Sequence, residues 1–322
     1  MTAMTDGSTI GQLSTSRRLK NSLVTVMLYA AFGVALIPLV WLGITVITRG
    51  VDRFLIDENG EANFNLDFLQ QSMRGVVGGA ITGGALHAIW GTVLITLTAT
   101  IISVPIGVLT AVYVVEYGNG RLKQAVTFFV DVMTGIPSIV AGLFAYAVAS
   151  VVMGPGTKTG FSGAVALTVL MIPVVVRASE EMLRLVPNEL REAAYALGVP
   201  KWLTVIKVVL RTAVAGLSTG VTLAIARVIG ETAPLLIAVG VADSMNFNIF
   251  EGRMMTLPVY IVSEWRKGDA VCNDTSADAV ACLPEITEYR AWAAALVLIL
   301  IVMALNLAAR LISRIFAPKT GR

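Results

Sequence analysis

Six apolar blocks, each long enough to cross a bilayer as a helix, dictate what this chain can become. They run from about Leu23 to Ile47, Ile89 to Val115, Val126 to Val152, Phe161 to Val186, Ala213 to Val241 and Ala291 to Ile315. A helix rises about 1.5 Å per residue, so roughly 20 apolar residues cover the hydrocarbon core. Backbone polar groups in lipid need internal partners, which leaves only helices or a closed barrel. Barrel strands would read as alternating segments of about ten residues, and the blocks do not alternate. The expectation is an all-α membrane protein with six transmembrane helices. Charged residues make up only 14% of the chain, which excludes an ordinary soluble domain or a nucleic-acid-binding module.

Residues 1–16, MTAMTDGSTIGQLSTS, are polar and sparsely charged and read as disordered. The first block exceeds a signal-peptide core and no small-x-small cleavage site follows it. It is therefore expected to be retained, with a cytoplasmic segment at 1–20 and the membrane domain over 21–322. Six crossings place both termini on one side. The N-terminus, the 116–124 loop, the 177–211 segment and the tail together hold 15 Lys/Arg, against 8 in the three segments between them. That excess marks the first set as cytoplasmic. The outer loop at 242–290 carries Cys272 and Cys282, in a compartment that permits disulfides. They are expected to pair, with two unpaired thiols as the alternative.

Between the fourth and fifth blocks lies PNELREAAYALGVPKWLTVIKVVLRTAVAG, residues 187–216. Helix-forming Glu189 to Leu197 stops at Gly198, suited to a left-handed helix end, and Pro200 opens a second helix. The spacing predicts a cytoplasmic helix-turn-helix edged with Arg191, Lys201, Lys207 and Arg211. Glu192, Ala193, Ala194 and then Gly198 resemble the EAA loop of ABC-importer permeases. That resemblance implies a type I permease bundle whose coupling helix docks on a separate ATP-hydrolysing subunit. Small Ala193 and Ala194 would allow close approach, and Glu192 could pair with a cation there. A proline common in the family at the position of Arg211 or Thr212 is missing.

ARVIGETAP at 226–234 is similar to a stretch of the phosphate-specific permeases PstA and PstC. The likeness extends to 91–118, DVMTGIPSIVAGLF at 131–144, 173–198 and the closing 295–310, and the short N-terminal region favours the PstA type. It implies a phosphate importer of the bacterial inner membrane. The partners implied are a PstB-type ATPase dimer, a PstC-type second permease and a PstS-type phosphate-binding protein. No nucleotide-binding motif is present, so ATP would act on the partner and no cofactor or metal is expected in this chain.

Arg227 and Glu231 are the charges that demand a reason, since a charge inside a span is costly and usually functional. Four residues apart on a helix, they share a face and can reach each other. Either they form a structural ion pair, or Arg227 meets phosphate in the pathway while Glu231 prevents over-tight binding. A guanidinium suits a tetrahedral oxyanion because its planar fork of donors stays charged at any physiological pH. Arg177 is a second pathway candidate, with Glu180 and Glu181 as counter-charges and an interfacial salt bridge as the alternative.

Asp131 is read as sitting at the positive start of the third span. Pro105, Pro137 and Pro173 are expected to interrupt spans. GVVGGAITGG at 75–84 reads as a flexible entry or as close packing, and Met254, Met255, Leu257, Pro258 and Ile261 as an interfacial helix. Rival functions are a sulfate or molybdate permease, an ATP-independent transporter or channel, and an intramembrane enzyme using His87, Asp131 and Glu231. No paired catalytic motif supports the last, and no catalytic residue is assigned.

Overall fold

The structure, a computed structural model, describes residues 15–56, 60–272 and 282–316. The polar leader through residue 14, the centre of the cysteine loop at 273–281 and the tail at 317–322 lie outside the described residues. The helices are α1 (Thr15–Asp52), α2 (Asp67–Gln70), α3 (Leu86–Val112), α4 (Gly120–Thr134), α5 (Ser138–Met153) and α6 (Gly160–Arg184). They continue as α7 (Asn188–Ala196), α8 (Lys201–Thr204), α9 (Leu210–Val228), α10 (Ala233–Ala238), α11 (Leu257–Lys267) and α12 (Ile286–Phe316). Among the described residues no strand forms beyond two isolated bridges. Five helical stretches are long and apolar enough to cross a membrane, or six when α4 and α5 count as one bent crossing.

The chain divides into two units at Thr48. The first is one helix, and every side chain from Ser16 to Leu42 is exposed, apolar ones included. A helix apolar all round is built for lipid or for another membrane helix rather than for water.

In the second unit α3 and α6 form the centre. Their contact is close because small residues line it: a Cβ at Gly107 would stand 2.6 Å from Val175 Cγ1. Ile95, Ala99, Leu167, Met171 and Val175 are fully buried beside it. Pro105 and Pro173 lie inside continuous helices, contrary to the expectation of breaks.

Pro137 does break its span. Gly135, Ile136 and Pro137 separate α4 from α5, and the two helices bend by 106°. Proline lacks the N–H that would continue the ladder and disfavours helical geometry at the residue before it, and glycine two residues earlier weakens the helix further. Asp131 is consequently in the last turn of α4, not at a positive helix start.

The fifth block is also discontinuous. A helix begins at Lys201, passes through a π-helical turn at Val205–Val209 and ends at Val228. Ile229, Gly230, Glu231 and Thr232 interrupt it before α10, whose early Pro234 would clash with the carbonyl four residues back in a continuous helix.

At the far end of the unit, segments around residues 53–85 and 254–290 close into a cap. Two buried arginines satisfy the glycine-rich loop. Arg290 donates to the carbonyls of Ala80 (2.5 Å) and Thr82 (2.7 Å), Arg53 to those of Ile81 (2.8 Å) and Gly83 (3.3 Å). The carbonyls of residues 80 and 82 thus turn to one arginine and those of 81 and 83 to the other. The loop is thus packed rather than a flexible entry.

Cys272 and Cys282 form a disulfide, and a Cβ at Gly79 would lie 2.6 Å from Cys282 Sγ. Met254 and Met255 are buried against Gly91 of α3, not at an interface, and burial raises the Tyr260 phenol above its usual pKa. Replacing both cysteines by serine is expected to cost about 3 kcal/mol, the loop-closure entropy of a ring this short. The check is the denaturation midpoint of the detergent-solubilised protein, and an unchanged midpoint would show that the staple adds nothing.

Candidate functional site: a broken crossing and an exposed elbow

The interruption after α9 falls midway through the unit. A Cβ at Gly216 would meet Met182 Sδ at 2.4 Å and one at Gly220 would meet Ala178 Cβ at 2.8 Å. These steps of four define an antiparallel register, which continued along α9 brings Arg227 level with about Met171, near the middle of α6. Beyond the interruption α10 completes the crossing to the first turn of α6, where Ser162 Oγ donates to the Ala238 carbonyl at 2.7 Å. Helix α5 supports the interruption from one side, with Gly142 against the backbone of Pro234. Irregular backbone at membrane depth is tolerated where it is buried in protein or lines a water-filled path.

Arg227 is exposed in this chain and Glu231 half-buried. Among the described residues the two form no ion pair, because the helix that would have stacked them stops between them. Each charge has its own electrostatic reason. Arg227 lies in the last turn of α9, where the helix end is negative, and Glu231 just precedes the positive start of α10. The result is a guanidinium at mid-depth whose fork is not committed to a carboxylate.

Arg177 is different. It pairs with Asp131 of α4 and with Glu180 at 2.8 Å, and Glu180 in turn holds Arg184 at 2.5 Å. Glu181 takes no part. The network borders a cavity of about 650 Å³ between α4 and α6, which Lys123 and Thr127 also line. In this conformation the Arg177 fork is occupied and ties the bent third crossing to α6.

The elbow of α7 and α8 lies at the end of the unit opposite the cap. Gly198 adopts φ +76°. Its N–H donates to the Tyr195 carbonyl, and Val199 N–H to that of Ala194, at 2.9 and 3.1 Å, so the helix end is capped as its glycine implied. Glu192 and Ala193 are exposed, as are Tyr195, Leu197 and Trp202. Ala194 instead turns inward at 7% exposure, because consecutive helical residues lie about 100° apart. Only one of the two alanines is therefore exposed.

Arg191 also departs from expectation. It is folded inward onto Glu116, a contact without local sequence signal. No cluster of metal-ligating side chains occurs among the described residues.

Several membrane crossings, two of them broken part-way, with a two-helix elbow projecting between crossings, define a multi-pass transport permease. The chain belongs to the binding-protein-dependent transport system inner membrane component family, which it matches over residues 103–322. It is 45% identical over 300 residues to the phosphate transport system permease protein PstA 1 of Mycobacterium tuberculosis, covering 93% of this chain and 90% of that one. The PstA of Pasteurella multocida is 37% identical over 309 residues, covering 95% and 97%. A crystal structure of a bacterial alginate ABC transporter has the same fold, with TM-score 0.61 at 13% identity over 97% of this chain and 100% of that chain.

Proposed function

We propose that the chain is the transmembrane permease subunit of an ATP-driven importer of inorganic phosphate, working by alternating access. ATP is hydrolysed on a separate PstB-type ATPase dimer, a PstC-type permease completes the pore, and a PstS-type binding protein delivers phosphate. The Lys/Arg distribution supports an orientation in the bacterial inner membrane with both termini and the elbow on the cytoplasmic side and the disulfide-bearing cap outside. The observation that carries the reading is the mid-depth break with its unengaged Arg227. A planar, permanently charged fork there can give a passing oxyanion two parallel hydrogen bonds. Glu231, on the same interruption, keeps the empty path near neutral so that the anion is released. Arg177 guards the inner mouth through its network with Asp131 and Glu180.

Labelled phosphate uptake in cells lacking their own phosphate importer, with sulfate and molybdate as competitors, tests the substrate. Competition by either anion at the level of phosphate would overturn the choice. Copurification of an ATPase and vanadate-sensitive uptake test the energy source, and uptake insensitive to vanadate would indicate an ATP-independent carrier. Glu192→Lys places a like charge where a partner cation is expected, and should cut uptake at least about tenfold through repulsion across a docked surface. Wild-type uptake by that variant would remove Glu192 from the docking face.

A further inference from the structure

The last turn of α3 widens into a π-helix over Tyr113–Tyr117 and presents two adjacent side chains, Glu116 and Tyr117, to the elbow. Each grips a different arm. Glu116 Oε1 accepts from Arg191 of α7 at 2.8 Å (Nη2) and 3.1 Å (Nε), with side chains only 5% and 13% exposed. Tyr117 receives the ammonium of Lys201, at the start of α8, 4.9 Å from its ring centroid. Arg191 goes further, donating to the carbonyls of Val186 (2.6 Å) and Leu183 (3.0 Å), which end the α6 segment. Single π turns inside α-helices occur frequently at functional sites.

At its other end α3 is seated in the cap. Thr92 Oγ1 accepts from the Leu257 N–H at 2.8 Å, and Gly91 lies so close to Met255 that a Cβ would stand 2.0 Å from its carbonyl oxygen. One helix therefore holds both arms of the elbow at its end and the outer cap at its beginning.

We propose that Glu116 with Arg191, and Tyr117 with Lys201, form a clasp that makes α3 move with the elbow, so that displacement by the ATPase reaches the cap directly. Arg191 and Lys201 are positioning residues, acting through α3 and not on substrate. This rests on the reading that the elbow docks on an ATPase. Removing one member of a buried pair loosens the joint, whereas the docking face, Glu192 and Ala193, stays intact on the opposite side of α7.

The test uses the complete complex in proteoliposomes, measuring ATP hydrolysed per phosphate imported with loaded binding protein. Arg191→Gln and Glu116→Gln should each raise that ratio about tenfold, the size of a typical coupling between sites. Arg191→Lys, which keeps the charge, should recover part of the loss. In a Glu116→Cys, Arg191→Cys double variant, a short bis-maleimide bridge should restore the wild-type ratio, a rescue that a purely folding role would not show. An unchanged ratio in the Gln variants, or no recovery on bridging, overturns the clasp. If Glu192→Lys also leaves the ratio unchanged, the docking reading has failed as well; if Glu192→Lys uncouples and the clasp variants do not, only the clasp is lost.

Discussion

Arg227→Gln is expected to lower labelled phosphate uptake about a hundredfold with the amount of inserted protein unchanged. The magnitude comes from the interaction lost. Two charge-assisted hydrogen bonds to an oxyanion contribute about 1.5–3 kcal/mol each, and every 1.4 kcal/mol is tenfold. Because Arg227 pairs with no carboxylate here, its removal orphans no internal partner, so the loss should fall on transport and not on folding. Arg227→Lys keeps a point charge but gives up the planar fork, and an intermediate rate is expected. Uptake at the wild-type level in the Gln variant, checked by immunoblot of the membrane fraction, would take Arg227 out of the path.

Gly142→Ala should be nearly as damaging for a purely steric reason. The added Cβ would lie 2.6 Å from Pro234 Cα and 2.8 Å from its carbonyl oxygen. Both are backbone atoms, so no rotamer change can make room. Overpacking of this kind costs about 1–3 kcal/mol, and the strain falls on the proline in the first turn of α10, next to the mid-depth break. A midpoint lowered by about 5 °C and uptake reduced at least about tenfold are expected, on the usual relation between stability and melting temperature. Gly33→Ala is the control, since nothing lies within 4 Å of its added Cβ. If Gly142→Ala melts and transports like the parent protein, α5 does not support the break in this way.

The sequence makes legible whatever is specified locally. Apolar length identified the crossings, and Gly198 with Pro200 punctuated the elbow, because turn chemistry acts within a few residues. The breaks were another matter. Pro105, Pro137 and Pro173 all sit in apolar runs, yet only the one preceded by Gly135 and Ile136 ends its helix. Whether a proline kinks or breaks a span depends on neighbours that periodicity does not record. The four-residue spacing of Arg227 and Glu231 suggested a stacked pair, and that inference assumed a helix that Gly230 and Pro234 terminate. Arg191 looked like an exposed edge because its partner Glu116 stands 75 residues earlier. The arginines that satisfy the glycine-rich loop lay equally beyond local reach.

The alternating carbonyls of that loop set a timetable for biogenesis. Ala80 is synthesised 210 residues before Arg290, the donor it needs. At about 5–20 residues per second, a ribosome takes roughly 10–40 s to cover that interval. Until then the Ala80 and Thr82 carbonyls must be held by water or by a chaperone, which makes closing of the cap a late event in producing the folded subunit.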